Sequence, residues 1–490
     1  MDKPLRRVAI FALLLFFGLM AQLNYVQGSQ AEALRTDSNN ARQYADVFNS
    51  PRGQITAGGQ VLAKSDLTGK DNPKYGRTYK DGLIFSPTTG FFNGGASKVE
   101  MAYNSLLGGK DKRITQQRWF DTFIGKKAEG ANVELALNTQ AQTLAYNRLK
   151  GSTSRRAGAA VIDIETGAIV VLASYPSFDP NEVTPQKGIP GGKRLVQLEN
   201  TPGVIKPLID NAMSQTFPPG STFKTVTAAI AMEQNNLTSS SRVNTGRLVL
   251  PESNSPLRNS HDTGECAGSA SLRGAFAESC NTTFAELAMQ MGIERLNQGA
   301  SKFGFNKRVE IEPDLYATES DVPVSIKNAK TGETIQTGQD GTARSGIGQE
   351  NVRSTPLQMA MVASAVANDG KIMKPYLVQK VRAQDQSELY KAEPTRFAQA
   401  IKEDTADQLA DMMRAVVTEG TAKNLAQFNI AGKTGTAEQG GDNPNARWFM
   451  GFAPMDKPKY AFAVITEGKG SGGGAAGPVA GAIMQAVLRE

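Results

Sequence analysis

The stretch from Pro218 to Lys224 combines a nucleophile and a base at helical spacing. Two prolines and a glycine precede Ser221, and the alanine-rich run from Val226 to Met232 behind it has high helix propensity. The pattern therefore places Ser221 at a helix N-terminus. Because residues three apart share one face of a helix, Lys224 is expected one turn above Ser221, with its amine within reach of the hydroxyl.

A serine hydroxyl attacks a carbonyl only when a neighbouring group takes its proton. Lysine does this when desolvation or nearby positive charge lowers its pKa, and a helix N-terminus among apolar residues supplies both. Alternatively, Ser221 is only an N-cap and Lys224 a solvated lysine, since a Ser-x-x-Lys tetrad arises by chance roughly once or twice in a chain of this length. Further motifs elsewhere in the sequence are needed to decide between these two interpretations.

Two further motifs follow in the chain, Ser279-Cys280-Asn281 and Lys433-Thr434-Gly435-Thr436. A second Lys-Thr-Gly, at Lys330, lies in a polar stretch typical of a surface hairpin turn and is rejected. The copy at Lys433 precedes two strand-like runs, 447–454 and 460–465, which are joined by a proline-containing turn. This pattern predicts that Lys433 to Thr436 form the neighbouring strand of an antiparallel sheet and line a cleft beside the Ser221 helix.

Ser-x-x-Lys, Ser-x-Asn and Lys-Thr-Gly in this order are the motifs of serine β-lactamases and penicillin-binding proteins. The chain resembles the class B, monofunctional penicillin-binding proteins, and among them the smaller actinobacterial type called penicillin-binding protein A. Residues 158–181 and 346–360 extend the resemblance. It implies an α+β fold: an antiparallel five-stranded sheet sandwiched by helices, with an all-helical subdomain, carried on an elongated N-terminal pedestal and a membrane anchor.

The length of 490 residues suits two or more domains. We predict a cytoplasmic tail at 1–7, a transmembrane anchor at 8–27, a pedestal at 34–150 and a transpeptidase domain at 155–490. Lys3, Arg6 and Arg7 precede the apolar run, which places the remainder outside the cytoplasm. A cleaved signal peptide, with Ala31-Glu32-Ala33 as its cleavage site, is the alternative. Residues 30–49 suit a stalk.

Within the pedestal, residues 51–55 and 61–63 resemble the opening strands of class B proteins, with Ala57 and Gly58 in place of an Asp-Arg turn. A helix from Leu135 to Leu149 is expected, then a domain boundary at 151–156 and two strands, 159–164 and 168–174. At the far end, the glycines from 468 to 474 are typical of a flexible linker, and a helix is expected to start at Pro478.

The net charge of +7 suits an anionic membrane face or cell wall, and no basic block or aromatic-interleaved patch indicates nucleic acid binding. Cys266 and Cys280 are the only cysteines. In an oxidising compartment they can form a disulfide, while two buried free thiols remain the alternative. The one histidine, His261, cannot form a multi-histidine metal site, and a Cys-His nucleophile is a minor alternative to a polar surface histidine.

The resemblance implies D,D-transpeptidation without a metal or organic cofactor. A peptidoglycan stem ending in D-Ala-D-Ala would acylate Ser221, and an amine of a second stem would resolve the ester. Lys224 would take the Ser221 proton, Ser279 would relay a proton to the departing amine, and Asn281 would bind the substrate amide. Lys433 would attract the terminal carboxylate, as part of a substrate-binding strand with Thr434, Gly435 and Thr436.

The implied partners are peptidoglycan stem peptides or their lipid-linked precursor, β-lactam antibiotics, and a membrane glycosyltransferase of the shape, elongation, division and sporulation family. The implied location is the cell membrane, with a single span and the catalytic domain on the extracytoplasmic side. A β-lactamase-like hydrolase, a D,D-carboxypeptidase, and a catalytically dispensable sensor or scaffold use the same motifs. The sequence leaves open the acceptor amine and the choice among elongation, division and sporulation.

Overall fold

The computed structural model describes residues 2–28, 30, 48–69, 74–117, 129–184, 191–328, 331–440 and 443–489. In chain order, the helices are α1 (Asp2–Gly28), α2 (Gly82–Thr89), α3 (Lys98–Ala102), α4 (Asn104–Leu107), α5 (Lys112–Gln117), α6 (Thr139–Ser152), α7 (Gly191–Glu199), α8 (Lys224–Asn235), α9 (Leu272–Ala277), α10 (Asn281–Met291), α11 (Ile293–Lys302), α12 (Gln339–Gly346), α13 (Pro356–Ala367), α14 (Glu403–Thr418) and α15 (Gly472–Val487).

The strands are β1 (Ile55–Ala57), β2 (Gln60–Leu67), β3 (Tyr75–Tyr79), β4 (Asn132–Leu135), β5 (Ala157–Asp163), β6 (Ile169–Tyr175), β7 (Arg242–Asn244), β8 (Leu248–Val249), β9 (Pro256–Leu257), β10 (Ser269–Ser271), β11 (Lys307–Glu312), β12 (Leu315–Ser320), β13 (Ser325–Lys327), β14 (Thr334–Gln336), β15 (Lys371–Met373), β16 (Val378–Arg382), β17 (Glu388–Lys391), β18 (Arg396–Gln399), β19 (Ala431–Ala437), β20 (Asn445–Ala453) and β21 (Tyr460–Gly468).

Helix α1 is long and apolar enough to cross a membrane, and its side chains are exposed rather than packed on the rest of the chain. It begins at Asp2, so the basic residues Lys3, Arg6 and Arg7 lie in its first turns, and the cytoplasmic tail at 1–7 stays a prediction. Most of the predicted stalk, and all of the alternative cleavage site Ala31-Glu32-Ala33, lie outside the described residues.

The pedestal contains a six-stranded sheet in the order β17-β16-β4-β1-β2-β3, in which only β1 and β4 run parallel. The turn between β1 and β2 consists of Gly58 and Gly59, both with positive φ, as a two-residue hairpin of the right twist requires. Strands β16 and β17 come from the C-terminal half of the chain, so this sheet is not built from one continuous segment.

Helix α6 starts later than predicted and belongs by its contacts to the other half of the molecule. Leu135 ends strand β4, and the Asn138 side chain caps the helix by accepting a hydrogen bond from the Ala141 amide at 2.8 Å. The helix packs against β6 and α15. The domain division near residue 150 stays a prediction, and both α6 and the β16–β17 pair cross it.

The central sheet of the C-terminal half has the antiparallel order β19-β20-β21-β5-β6, which confirms the predicted five-stranded architecture. Its inner strands are buried on both faces and are accordingly apolar without alternation. Helices α6 and α15 cover one face and α13 covers the other. A second, mainly helical layer formed by α8 to α12 lies beyond and carries the first two motifs.

The glycine-rich segment near the C-terminus is not a linker, and the prediction of a helix starting at Pro478 is wrong. Helix α15 begins at Gly472, with Pro478 inside it, and the Ser471 hydroxyl caps it. A Cβ at Gly472 would collide with the carbonyl oxygens of Trp448 and Gly435. Glycine is therefore needed so that the start of this helix can contact the backbones of β19 and β20.

The rejected second Lys-Thr-Gly lies in a hairpin, as its polar composition predicts. Strands β13 and β14 pair on either side of it, and Thr331 and Gly332 belong to the connecting turn. Lys330 itself lies outside the described residues.

Candidate active site

Ser221 lies in a single 3₁₀ turn, Gly220–Phe223, from which α8 continues at Lys224. The turn is held by groups from other parts of the chain. Trp448 Nε1 donates to the Pro218 carbonyl at 2.9 Å, and the Gly220 amide donates to the Gly348 carbonyl at 2.8 Å. The Ser221 side chain remains half-buried at the surface of this cleft.

The same turn touches the outer edge of β19, the end strand of the central sheet. Gly220 has φ +53°, and a Cβ there would lie 2.7 Å from the Thr436 carbonyl oxygen. A Cβ on Gly435 would lie 2.8 Å from the Pro219 carbonyl oxygen. Glycine at both positions lets the two backbones meet, so the Ser221 turn and the Lys433–Thr436 strand are in direct contact.

Lys224 is fully buried, and its amine is directed at the second motif. Lys224 Nζ donates to the Ser279 carbonyl at 2.7 Å and to Asn281 Oδ1 at 2.7 Å, and it lies 3.1 Å from Ser279 Oγ. A neutral amine has two hydrogens and one lone pair. Because the two carbonyl oxygens can only accept hydrogen bonds, they occupy both hydrogens and leave the lone pair for a hydroxyl.

Burial is the main cause of a Lys224 pKa well below that of a free lysine, and the nearby Lys433 charge lowers it further. Burial also lowers the pKa of Lys433, to about 7, against an opposing effect of Glu278. An edge-to-face pair of rings lies near both amines. Lys224 Nζ is 5.7 Å from the centre of Phe284, and Lys433 Nζ is 5.4 Å from that of Phe276. Aromatic faces favour the protonated form of a neighbouring amine and so moderate the cost of burial.

The second motif sits on a tight turn between α9 and α10. Ser279 adopts a left-handed conformation with φ +62°, and the Cys280 amide donates back to the Ala275 carbonyl at 2.9 Å. A disulfide joins Cys280 to Cys266, with Cα atoms 5.4 Å apart. It ties this turn to the preceding loop, and on the chain-entropy account a closed loop of this length contributes about 3 kcal/mol. Neither cysteine has a thiol, which excludes the Cys-His nucleophile.

The third motif lies on β19, where the side chains of Thr434 and Thr436 share one face of the strand and that of Lys433 points to the other. Lys433 is fully buried, whereas Thr434 and Thr436 are partly or largely exposed. Thr434 Oγ1 lies 2.9 Å from Thr421 Oγ1, and Thr436 Oγ1 accepts a hydrogen bond from the Gly472 amide at 3.3 Å. Two hydroxyls are thus held beside a buried amine, an arrangement suited to binding a carboxylate.

Two polar residues at the cleft were missed by the sequence reasoning. Thr421 precedes β19 by a short 3₁₀ segment, and nothing in its local sequence indicates that it meets Thr434. Glu278 precedes Ser279 and faces His261, with 3.3 Å between Oε2 and Nε2. Its position next to the second motif was the only available signal. Within the part of the chain that the structure describes, no cluster of His, Cys, Asp or Glu side chains could hold a metal ion.

Comparison with known proteins identifies the two halves of the chain. The penicillin-binding protein transpeptidase domain matches residues 157–485, and the penicillin-binding protein A dimerisation domain matches residues 52–133. The peptidoglycan D,D-transpeptidase PbpA of Mycolicibacterium smegmatis is 34% identical over 504 aligned positions, which cover 100% of both chains. PbpA of Mycobacterium tuberculosis is 32% identical over 100% of this chain and 99% of its own.

Solved structures agree with this similarity. The ceftriaxone acyl-enzyme complex of penicillin-binding protein A from M. tuberculosis superimposes with a TM-score of 0.80 at 30% identity and covers 91% of this chain and 100% of its own. The penicillin G acyl-enzyme complex of the same protein gives 0.79 at 31% identity, with 90% and 100% covered. The chain therefore belongs to the penicillin-binding proteins that carry a transpeptidase domain.

Proposed function

We propose that this protein is a peptidoglycan D,D-transpeptidase of cell wall synthesis, with Ser221 as its nucleophile. The observation that carries the proposal is the buried amine of Lys224, three residues after the half-buried Ser221. Hydrogen bonds to the Ser279 carbonyl and to Asn281 Oδ1 hold this amine in place. The relatives named D,D-transpeptidase and the β-lactam acyl-enzyme structures support the same chemistry.

In the first step, Ser221 Oγ attacks the carbonyl carbon between the two D-Ala residues of the donor stem. Lys224 accepts the hydroxyl proton, since burial disfavours its charged form before the reaction. The backbone N–H groups of Ser221 and Thr436 stabilise the negative oxygen that develops, an effect that typically lowers the barrier by about 3 kcal/mol for each donor. The C–N bond then breaks, and the departing D-Ala amine takes its proton through Ser279.

Donor binding uses the exposed edge of β19. An extended stem peptide lies along this edge, with Asn281 bonding its amide and Lys433, Thr434 and Thr436 holding its terminal carboxylate. In the second step, an amine of a neighbouring stem attacks the Ser221 ester and forms the cross-link, and the serine regains its proton. A β-lactam presents a strained amide to the same serine and acylates it.

The proposal extends to the position of the protein in the cell. Helix α1 is the anchor of a single-pass membrane protein, with Lys3, Arg6 and Arg7 on the cytoplasmic side and the catalytic half outside. A reporter that is active only outside the cytoplasm is fused to the C-terminus, and we expect it to be active. An inactive reporter would indicate the opposite orientation.

We also propose that residues 34–150 act chiefly as the pedestal and that the partner is a membrane glycosyltransferase of the shape, elongation, division and sporulation family. The support is the exposed apolar surface of α1, which a membrane-embedded partner can contact. Co-purification from membranes with such an enzyme, lost when α1 is exchanged for an unrelated span, is the expected result.

The central experiment is intact-protein mass spectrometry of the full chain in detergent after addition of benzylpenicillin, followed over time and repeated with Ser221→Ala. A stable adduct of one drug mass, absent from the variant, is the expected result. A transient adduct with drug turnover would favour the β-lactamase-like hydrolase. No adduct on folded protein would contradict the mechanism and favour a scaffold.

A further inference from the structure

A cavity of about 510 Å³ opens beside the second motif. Its apolar wall is formed by Pro256 and Leu257 of strand β9, and Cys266 of the disulfide lies at its buried base. Two arginines, Arg247 and Arg258, and one acid, Asp262, line it as well. None of these residues has a part in the mechanism above.

The cavity is joined to the catalytic cleft through Asn281. The Oδ1 atom of this side chain accepts a hydrogen bond from Lys224, and its Nδ2 atom donates to the Arg258 carbonyl at 2.9 Å. A peptide whose amide is bound at Asn281 therefore has the cavity next to it. A subsite there would contact the part of the donor that precedes D-Ala-D-Ala.

The walls of the cavity are fixed in place rather than loosely formed. Asn259 Nδ2 donates to the carbonyls of Thr245 at 2.9 Å and Cys266 at 3.3 Å, and its Oδ1 accepts from the Thr282 amide at 3.1 Å. The disulfide adds a covalent link from Cys266 to Cys280. The loop that carries Arg258 is thus anchored to both the second motif and the start of α10.

The two guanidinium groups are available for a ligand. Among the residues that the structure describes, neither Arg247 nor Arg258 has an acidic side chain within ion-pair distance or a side-chain hydrogen bond. The nearby Glu278 already faces His261 at 3.3 Å, which leaves Asp262 as the one acid in the lining. Two arginines against one aspartate give the cavity a positive charge, and the planar guanidinium suits a carboxylate through two parallel hydrogen bonds.

We propose that this cavity is a subsite for a carboxylate-bearing side chain of the donor stem, on the residue that precedes D-Ala-D-Ala. The methylene groups of that side chain pack on Pro256, Leu257 and the disulfide, while Arg247 and Arg258 bind the carboxylate at its tip. This subsite rests on the proposed function, because it extends the donor site at Asn281. It makes the chain selective for donors whose third residue from the end is anionic.

The test measures peptide binding by calorimetry on the full chain carrying Ser221→Ala, which binds without turnover. Two synthetic peptides ending in D-Ala-D-Ala are compared: one has a side-chain carboxylate on the preceding residue, and the other has the corresponding amide. We expect the acid to bind about tenfold more tightly than the amide, as one charge-assisted bidentate contact allows. Arg247→Gln and Arg258→Gln should each reduce this ratio, and the double variant should abolish it.

Arg295→Gln is the matched control, because it removes the same charge from an exposed arginine of α11 outside the cavity. It should keep the full ratio of acid to amide binding. An equal affinity for the two peptides, or a ratio that survives in the double variant, would overturn the subsite. Benzylpenicillin labelling of the chain with its native Ser221 is measured separately. If the chain is labelled but binds the acid and the amide peptide equally, only the subsite is rejected. If the chain is not labelled, the proposed function is rejected.

Discussion

The two buried lysines of the cleft have opposite requirements at the scale of single residues. In the proposed mechanism, Lys224 must lose its proton before it can accept one from Ser221, whereas Lys433 must keep its proton to attract a carboxylate. Burial lowers both pKa values, and the charge of Lys433 lowers that of Lys224 further. The site therefore operates where Lys224 is neutral and Lys433 is still charged.

This balance predicts a bell-shaped dependence of acylation on pH. The rate rises with pH as Lys224 becomes neutral, then falls as pH passes the Lys433 pKa of about 7, because the site loses its positive charge. Stopped-flow acylation by benzylpenicillin should show both limbs. Its methyl ester, which lacks the carboxylate, should react more slowly but without the falling limb. A benzylpenicillin rate that keeps rising far above that pKa would contradict the assignment.

In the proposed mechanism, we expect Thr421 to position the hydroxyl of Thr434. Its hydroxyl lies 2.9 Å from Thr434 Oγ1, and if Thr421 donates that bond, the Thr434 proton remains free for the substrate carboxylate. Thr421→Val should lower the rate constant of benzylpenicillin acylation about fivefold, the equivalent of one ordinary hydrogen bond. Thr421→Ser keeps the hydroxyl and should restore the rate. If the serine variant were as slow as the valine variant, the hydroxyl would have no such part.

At the scale of elements, the site depends on backbone contact between the Ser221 turn and the edge of β19. The three motifs and the antiparallel order of the strands that follow could be predicted from the sequence, because turns and apolar runs mark them locally. The Gly472 contact with β20 could not, since glycine clusters are equally typical of linkers. The Thr421–Thr434 pair was also missed, because hydroxyl contacts between distant segments leave no periodic pattern.

The contact predicts a strong effect of Gly220→Ala. An alanine Cβ there would lie 2.7 Å from the Thr436 carbonyl oxygen and would separate the nucleophile from the substrate-binding strand. The rate of acylation by benzylpenicillin should fall about 100-fold, because small displacements of reacting groups have effects of this size. Gly203→Ala is the control, since Gly203 also has positive φ but has open space around its Cβ position. Equal acylation rates in the two folded variants would show that the contact is dispensable.

At the scale of the whole molecule, one carboxylate connects the pedestal to the C-terminal half. Glu312, on β11, is buried and accepts hydrogen bonds from the Tyr103 hydroxyl at 2.7 Å and from the amides of Leu377 and Val378 at 2.7 and 2.6 Å. Tyr103 lies between helices α3 and α4, and Val378 begins β16 of the pedestal sheet. Three chain segments therefore meet on a single side chain.

Glu312→Ala should destabilise the chain by more than the lost packing area alone predicts, because three buried hydrogen-bond donors lose their acceptor. We expect the free energy of unfolding to fall by about 3 kcal/mol, the usual result when buried polar groups are left unpaired. Glu310→Ala on the same strand is the control: the Glu310 side chain is partly exposed and, among the residues that the structure describes, bonds only Lys374, so its loss should cost less than about 1 kcal/mol. Urea unfolding of the full chain in detergent, followed by tryptophan fluorescence, measures both. Equal losses would mean that Glu312 does not stabilise this junction, and a larger loss for Glu312→Ala would show that its three hydrogen bonds help to hold the two parts of the chain together.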